Sequence, residues 1–437
     1  MWRFIVLLFA IIPASTNAFL LNLEEAKEIA LKNNPEFLAE KEAVNAAIST
    51  ANQSKFNLLP QASLSGSYNK NEETELTSGD GESRSFGFQV TQPIFNGGKN
   101  WLNMSMKNLQ SDIQGIDYYS KKLEVLRETE SRYFQVLESK KLLEISEDND
   151  KIANRNLETA EIRYKSGSLS RADYLKMRAE KASREVELIQ AKSSLKNSRN
   201  SFSSYLQISR NFILESIPIE RYNDYLNSLK DFTPEKVDEI SDKIISIGIE
   251  RSPEIKKMEL NLKLQEKSVT MAKGDFLPSV NLSYSENWRS SEMEEDYISD
   301  GWRIGVSASV PIFPVVDNVY SLNREKYSLK EMQYLYNATK NDVELTLESF
   351  VEDIVSSAKA VYSSEIGLEY AKETFRQSEV RFKNNVITAT ELLDTQVLLN
   401  TSSKQYYTSF YDFLRARTSL MKQLGIEDED SLWVLLK

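Results

Sequence analysis

The sequence predicts a mainly α chain, internally duplicated, in which long antiparallel coiled-coil helices are interrupted by two β-hairpins, four strands in all. Three observations carry this. Two stretches of period-2 alternation, from Leu59 to Phe95 and from Leu277 to Phe313, each open with Leu-Pro and close with Pro-Ile-Phe. The offset between the copies is 218 residues at both ends. The same offset pairs Pro35 with Pro253, Arg163 with Arg381, Leu175 with Leu393 and Ile208 with Ile426. An ungapped register of that length marks a duplication. Finally, each hairpin is followed by a Pro-free helical pattern far longer than globular helices usually are.

In chain order, Met1–Ala18 reads as a secretory signal, with Arg3 as its charge, Ile5–Ile12 as its apolar run and Thr16-Asn17-Ala18 at the cleavage site. Residues 19–208 form the first repeat. Asn22 caps a helix to Asn33, with Glu25 completing a capping box, and a second helix runs from Pro35 to about Asn57. The hairpin occupies about 61–92, its polar tip at Glu72–Glu82. Leu102, Met106, Leu109, Ile113, Ile116 and Leu123 then follow steps of four and three residues, the spacing of a coiled-coil seam. That helix stops at Gly167, a residue suited to the left-handed conformation, and a return helix runs from Ser170 to about Tyr205. Residues 209–232, with weak periodicity and Pro218, read as a linker. Residues 233–426 repeat the plan: a hairpin at about 279–310, a long helix from about Asn318, a turn at Asn384-Asn385 and a return to Leu424. Residues 427–437 are a tail.

Composition removes whole classes of chemistry. The chain has no Cys and no His, so disulfides, thiolate or imidazole metal sites and Ser-His or Cys-His nucleophiles are excluded. No Gly-rich loop or nucleophile motif points to an enzyme, and neither cofactor nor metal is expected. The net charge of −11, with no basic stripe, argues against nucleic acid as a partner. No run approaches the ~20 apolar residues of a spanning helix. The strands have about the length and alternation that cross a bilayer. Tyr68, Tyr284, Trp288 and Trp302 near their ends suit interfacial girdles, and Glu286 on the apolar face fits only near the headgroups. Four strands cannot close a barrel, so a membrane role requires several copies. A soluble coiled-coil tether with solvent-facing hairpins remains the alternative at this level.

The ordered motifs resemble the TolC-like outer-membrane efflux proteins. They are Asn34-Pro35-Glu36 and Ser252-Pro253-Glu254, the Leu-Pro and Pro-Ile-Phe brackets, and the tips Arg163–Gly167 to Asp173–Leu175 and Arg381–Lys383 to Glu391–Asp394. The resemblance covers nearly the whole mature chain. It implies a homotrimer, a twelve-stranded barrel in outer-membrane lipid continued by an α-helical periplasmic barrel, and export of drugs, small molecules or proteins. It also implies a periplasmic membrane-fusion adaptor and an inner-membrane RND or ABC transporter as partners. By position, Glu391 and Asp394 would form acidic rings at a periplasmic gate and Asp173 would belong to its lock. The residues that pair with Asp173 in the family correspond here to Phe382 and Ile387, which lack the polar groups, so Arg163, Arg381 or Lys383 would have to substitute. Glu391 and Asp394 read equally as ordinary helix N-terminal acids favoured by the helix dipole. The turns Gly167-Ser168-Leu169 and Asn385-Val386-Ile387 are where an adaptor would dock, unless Leu169, Val386 and Ile387 cover the inside of their own turn.

Overall fold

The structure, a computed structural model, describes residues 19–71, 81–291, 297–313 and 315–436. Residues 1–18, where a secretory signal is expected, and hairpin-tip residues 72–80 and 292–296 lie outside the described residues. The chain divides into two compact units. One combines the described residues up to Leu38 with Lys122–Gly248 and everything from Leu345 onward; the other combines Ala39–Lys121 with Ile249–Glu344. Among the described residues no helix is long and apolar enough to cross a membrane.

The elements begin with a strand, β1 (Phe19–Leu21), which the sequence did not announce. Helix α1 (Leu23–Asn33) carries the capping box of Asn22 and Glu25, with Glu25 N–H donating to Asn22 Oδ1 at 2.8 Å and Asn22 N–H to Glu25 Oε2 at 3.1 Å. Helix α2 (Pro35–Phe56) leads into β2 (Gln61–Asn71) and β3 (Gly81–Asn96). Helices α3 (Lys99–Lys165) and α4 (Arg171–Leu206) follow. The second half holds α6 (Pro234–Arg251), α7 (Pro253–Gly274), β5 (Ser279–Ser291), β6 (Tyr297–Ser309), α8 (Val315–Lys383) and α9 (Ala389–Gln423). At 1.5 Å per residue, α3 and α8 each extend about 100 Å.

Two segments differ from their sequence expectation. The presumed linker carries β4 (Phe212–Leu214), a 3₁₀ turn at Ile219–Tyr222 and α5 (Asn223–Lys230). The tail carries α10 (Glu429–Leu435). Both are short, so periodicity could not reveal them, and both are held by packing. β4 pairs in parallel with β1, and the buried Tyr133 hydroxyl clamps the pair by donating to the carbonyls of Leu21 (3.2 Å) and Glu215 (2.7 Å). Phe202 packs edge-on against both Tyr133 and Phe212. Trp433 of α10 stacks on Tyr225 at 3.9 Å between ring centroids.

In the other unit the four long strands form one antiparallel sheet in the order β2-β3-β5-β6. The strands outrun the alternating stretches because β3 continues through Pro93, where a register shift between Pro93 and Phe95 takes up a residue that cannot donate to the ladder. Leu64, Phe88 and Glu286 are register neighbours across three strands, and Trp302 follows on the fourth. One face is apolar through the middle of the sheet apart from Glu286, which accepts from Tyr284 OH at 3.1 Å, and carries Lys70, Glu82, Arg84 and Asp300 toward the hairpin tips. Gly97, at φ 68°, meets the backbone of Gly274 so closely that neither has room for a Cβ.

Candidate functional site

The candidate site is the pair of helix-tip turns in the first unit, one between α3 and α4 and one between α8 and α9. They are built alike because the same backbone problem recurs at the 218-residue offset. Each long helix must end and reverse, which needs a left-handed residue to satisfy the last carbonyls. Gly167 takes φ 76° and Asn385 takes φ 59°. Ser168 N–H donates to Arg163 O at 2.8 Å, and Val386 N–H to Arg381 O at 2.9 Å. Gly167 N–H reaches Tyr164 O and Asn385 N–H reaches Phe382 O, both at 3.0 Å.

The return helices start with matched caps. Ser170 accepts from Asp173 N–H at 3.0 Å, and its hydroxyl donates to the Asp173 carboxylate at 2.7 Å. Thr388 accepts from Glu391 N–H at 3.2 Å, while Thr388 N–H donates to Glu391 Oε2 at 2.8 Å, a full capping box. Glu391 is held below the usual carboxylate range, first by that backbone N–H and then by the Thr388 hydroxyl. Within a single chain, then, Asp173 and Glu391 both work as helix caps. Asp394, one turn further on, is exposed.

Beneath the turns lies one apolar cluster. Ala160, Met177, Phe375, Phe382, Ala389 and Leu392 are buried in it, and Leu169, Tyr174 and Ile387 pack against it. Of the three residues expected at the docking tips, Leu169 and Ile387 are half-buried against this cluster and Val386 is 62 % exposed. Arg163 joins the two turns. Its guanidinium lies 4.6 Å from the centroid of the Phe382 ring and donates to Phe382 O at 3.1 Å. A second link runs from Lys176 Nζ to Thr390 Oγ1 at 2.9 Å. Tyr164 and Tyr174 stack, with centroids 5.0 Å apart and planes 5° from parallel. Farther along, α3 and α9 are pinned by buried amides: Asn149 donates to Asn400 at 2.7 Å and Asn156 to Gln396 at 3.0 Å.

Sequence reasoning missed a second polar centre in the same unit. Glu130 and Arg417 are 5 % and 2 % exposed. Glu130 accepts from Lys27 Nζ at 2.6 Å, Thr418 Oγ1 at 2.6 Å and Arg417 Nη2 at 3.3 Å. Arg417 Nη1 also donates to Tyr222 OH and to Glu429, both at 2.7 Å. Burial alone would raise the Glu130 carboxyl, but the charges of Arg417 and Lys27 outweigh it and hold the group below its ordinary value. Burial would likewise lower Lys27, yet Glu130 raises it. Nothing in the sequence marks Glu130, which sits in the polar run Arg127-Glu128-Thr129-Glu130-Ser131-Arg132. Among the described residues no group of three His, Cys, Asp or Glu is placed to hold a metal ion.

Comparison with known proteins agrees with this architecture. The family model described as outer membrane efflux protein matches residues 27–206 and 244–426, both repeats. The outer membrane protein TolC of Vibrio cholerae is 21 % identical over 424 residues, covering 94 % of this chain and 92 % of that protein. The crystal structure of CusC superposes with a TM-score of 0.80 at 14 % identity, over 94 % of each chain. The Campylobacter jejuni CmeC outer membrane channel gives 0.79 at 16 % identity, over 95 % of this chain and 89 % of that one.

Proposed function

The chain belongs to the outer membrane efflux protein family, and from that premise we propose that it is a trimeric exit duct, each copy contributing four strands to one barrel. The observation that carries this is the unfinished sheet. Leu64 and Val306, on its apolar face, are 75 % and 71 % exposed. Among the described residues the outer edges of β2 and β6 have no pairing strand. In lipid an open edge leaves backbone groups unsatisfied, so the sheet must close on other copies.

Two further features support self-association. Tyr320, Tyr327 and Tyr334 recur at heptad spacing on α8 and are all at least 70 % exposed. On α3, Leu102, Met106, Leu109, Ile113 and Ile116 are only half-buried in the single chain. A second copy would cover both seams.

In this reading Glu391 and Asp394 of three copies ring the periplasmic gate, with Asp173 beside them. The surface at Gly167, Ser168, Leu169, Asn385, Val386 and Ile387 receives the adaptor, and an RND or ABC transporter in the inner membrane supplies the drug, small molecule or protein that is exported. Val386 is the exposed apolar contact such docking needs.

The test is the native mass of protein extracted with detergent from outer-membrane fractions. A trimer is expected there. A monomer in the soluble fraction would leave a periplasmic tether in place of a duct. Deletion of the gene then separates the cargoes: sensitivity to toxic small molecules marks efflux, and loss of a secreted protein marks secretion.

A further inference from the structure

Among the described residues the sheet's second face carries charge of one sign. The register aligns Ser63, Gln89, Ser285 and Arg303 in one row across the four strands. It aligns Ser67, Ser85 and Arg289 in another. Most other positions on this face are serine, threonine, glutamine or asparagine, with glycine between them. Ser67 and Ser85 share a hydrogen bond of 2.8 Å, and Asn287 Oδ1 fills the space that a side chain at Gly87 would need.

The carboxylates of the described strands, Glu82, Glu286 and Asp300, all stand at alternate positions, on the apolar face. There Glu82 is paired with Arg84 at 3.1 Å and with Lys70 at 4.0 Å. In a chain of net charge −11, the only charges on the polar face among the described residues are thus two guanidinium groups. Both are exposed. Arg303 has Gly301 and Gly305 as its same-face neighbours along β6, so no side chain beside it on its own strand screens it. Arg289 stands four residues beyond the Ser285 row, about 14 Å further along at 3.4 Å per residue.

We infer that Arg289 and Arg303 form an anion-attracting belt along the export path, selecting for carboxylate- or phosphate-bearing solutes. The inference rests on the reading that the sheet's polar face lines a pore. Repeated in each copy, the two arginines make two rings of positive charge, the arrangement by which pores favour anions. The belt acts in series with the acidic residues proposed for the gate, so the path meets both signs of charge in turn. Because exposed charges are screened within about 10 Å at 0.1 M salt, the effect is largest at low ionic strength.

The test is the reversal potential of the full-length protein in planar bilayers under a KCl gradient. Replacing the belt (R289S/R303S) should raise the K⁺ over Cl⁻ permeability ratio about twofold or more at low salt, and R289K/R303K should restore the native ratio. Gate variants E391Q/D394N should move the ratio the other way. A conducting R289S/R303S channel with an unchanged ratio overturns the belt and leaves the duct standing. Native protein that forms no channel overturns the belt together with the duct. Heat-resistant oligomer on gels identifies any variant that has failed to assemble, and the single variants R289S and R303S then carry the same test.

Discussion

Arg163 of the first repeat caps the face of Phe382 in the second, 4.6 Å from the ring centroid, and bonds the same residue's carbonyl. The two positions that close the turns are thereby joined by one side chain whose charge does not depend on a carboxylate. Phe382 has no hydroxyl and Ile387 is apolar and packs against the cluster, so neither side chain offers Asp173 a polar partner. Arg163 occupies the junction with a stack and a backbone contact, and Asp173 is turned back to its own cap.

Removing that side chain should loosen the tip. R163A forfeits a partly desolvated cation–π contact and a charged hydrogen bond, about 1–3 kcal/mol together. Single-channel conductance is expected to rise, with R163K intermediate because an ammonium cannot stack as a plane. Unchanged conductance and unchanged thermal stability in R163A would remove Arg163 from the closing of the tip.

The left-handed turn residues give a prediction of opposite sign. Asn385 tolerates φ 59° but glycine does so at less cost, so N385G should stabilise the tip slightly, by about 0.5 kcal/mol. G167A should destabilise it by about 1 kcal/mol, because a Cβ is strained at φ 76°. Thermal melting of both variants, or hydrogen exchange at the tip, checks the pair.

Glu391 has two roles to separate. T388A leaves its charge in place but removes the cap, at about 1 kcal/mol. E391Q removes the charge and keeps much of the cap. If Glu391 acts on permeating ions, E391Q lowers cation preference while T388A does not. Equal effects of the two on selectivity would reduce Glu391 to a helix cap.

The buried centre predicts acid sensitivity. The Glu130 carboxyl is held below its ordinary value near 4.5 in the folded chain. Its contribution is therefore complete above that value and is lost as pH falls through the lower, folded-state value. E130Q removes the carboxylate that Arg417 and Lys27 share, leaving them Glu429 and Glu24, and should cost at most about 3–5 kcal/mol. Its stability should also fall less steeply below pH 4.5 than that of the native chain. Denaturant midpoints measured from pH 3 to 7 test both statements.

What the sequence disclosed and what it concealed divide along physical lines. The hairpins were visible because alternation shows which face is apolar, and Gly167 and Asn385 because few residues accept a positive φ. The family was visible because Pro and Gly punctuation recurs in a fixed order. The inward packing of Leu169 and Ile387 was not, since both are apolar residues at a turn and only the neighbouring helix decides whether they are covered. Nor was the joining of Glu130 to Arg417, residues far apart in the chain whose charges gave no hint of each other. β1, β4 and α10 are too short for any periodicity to register.

The parallel pairing of Phe19–Leu21 with Phe212–Leu214 orders events in time. The first strand to emerge from export has no ladder to join until residues 212–214 have followed it across the inner membrane. Until then Tyr133 has no pair of carbonyls to clamp. Closure of this clasp is thus a late, long-range step in maturation, slow in the way non-local pairings are, and it reports that the stretch in between has arrived.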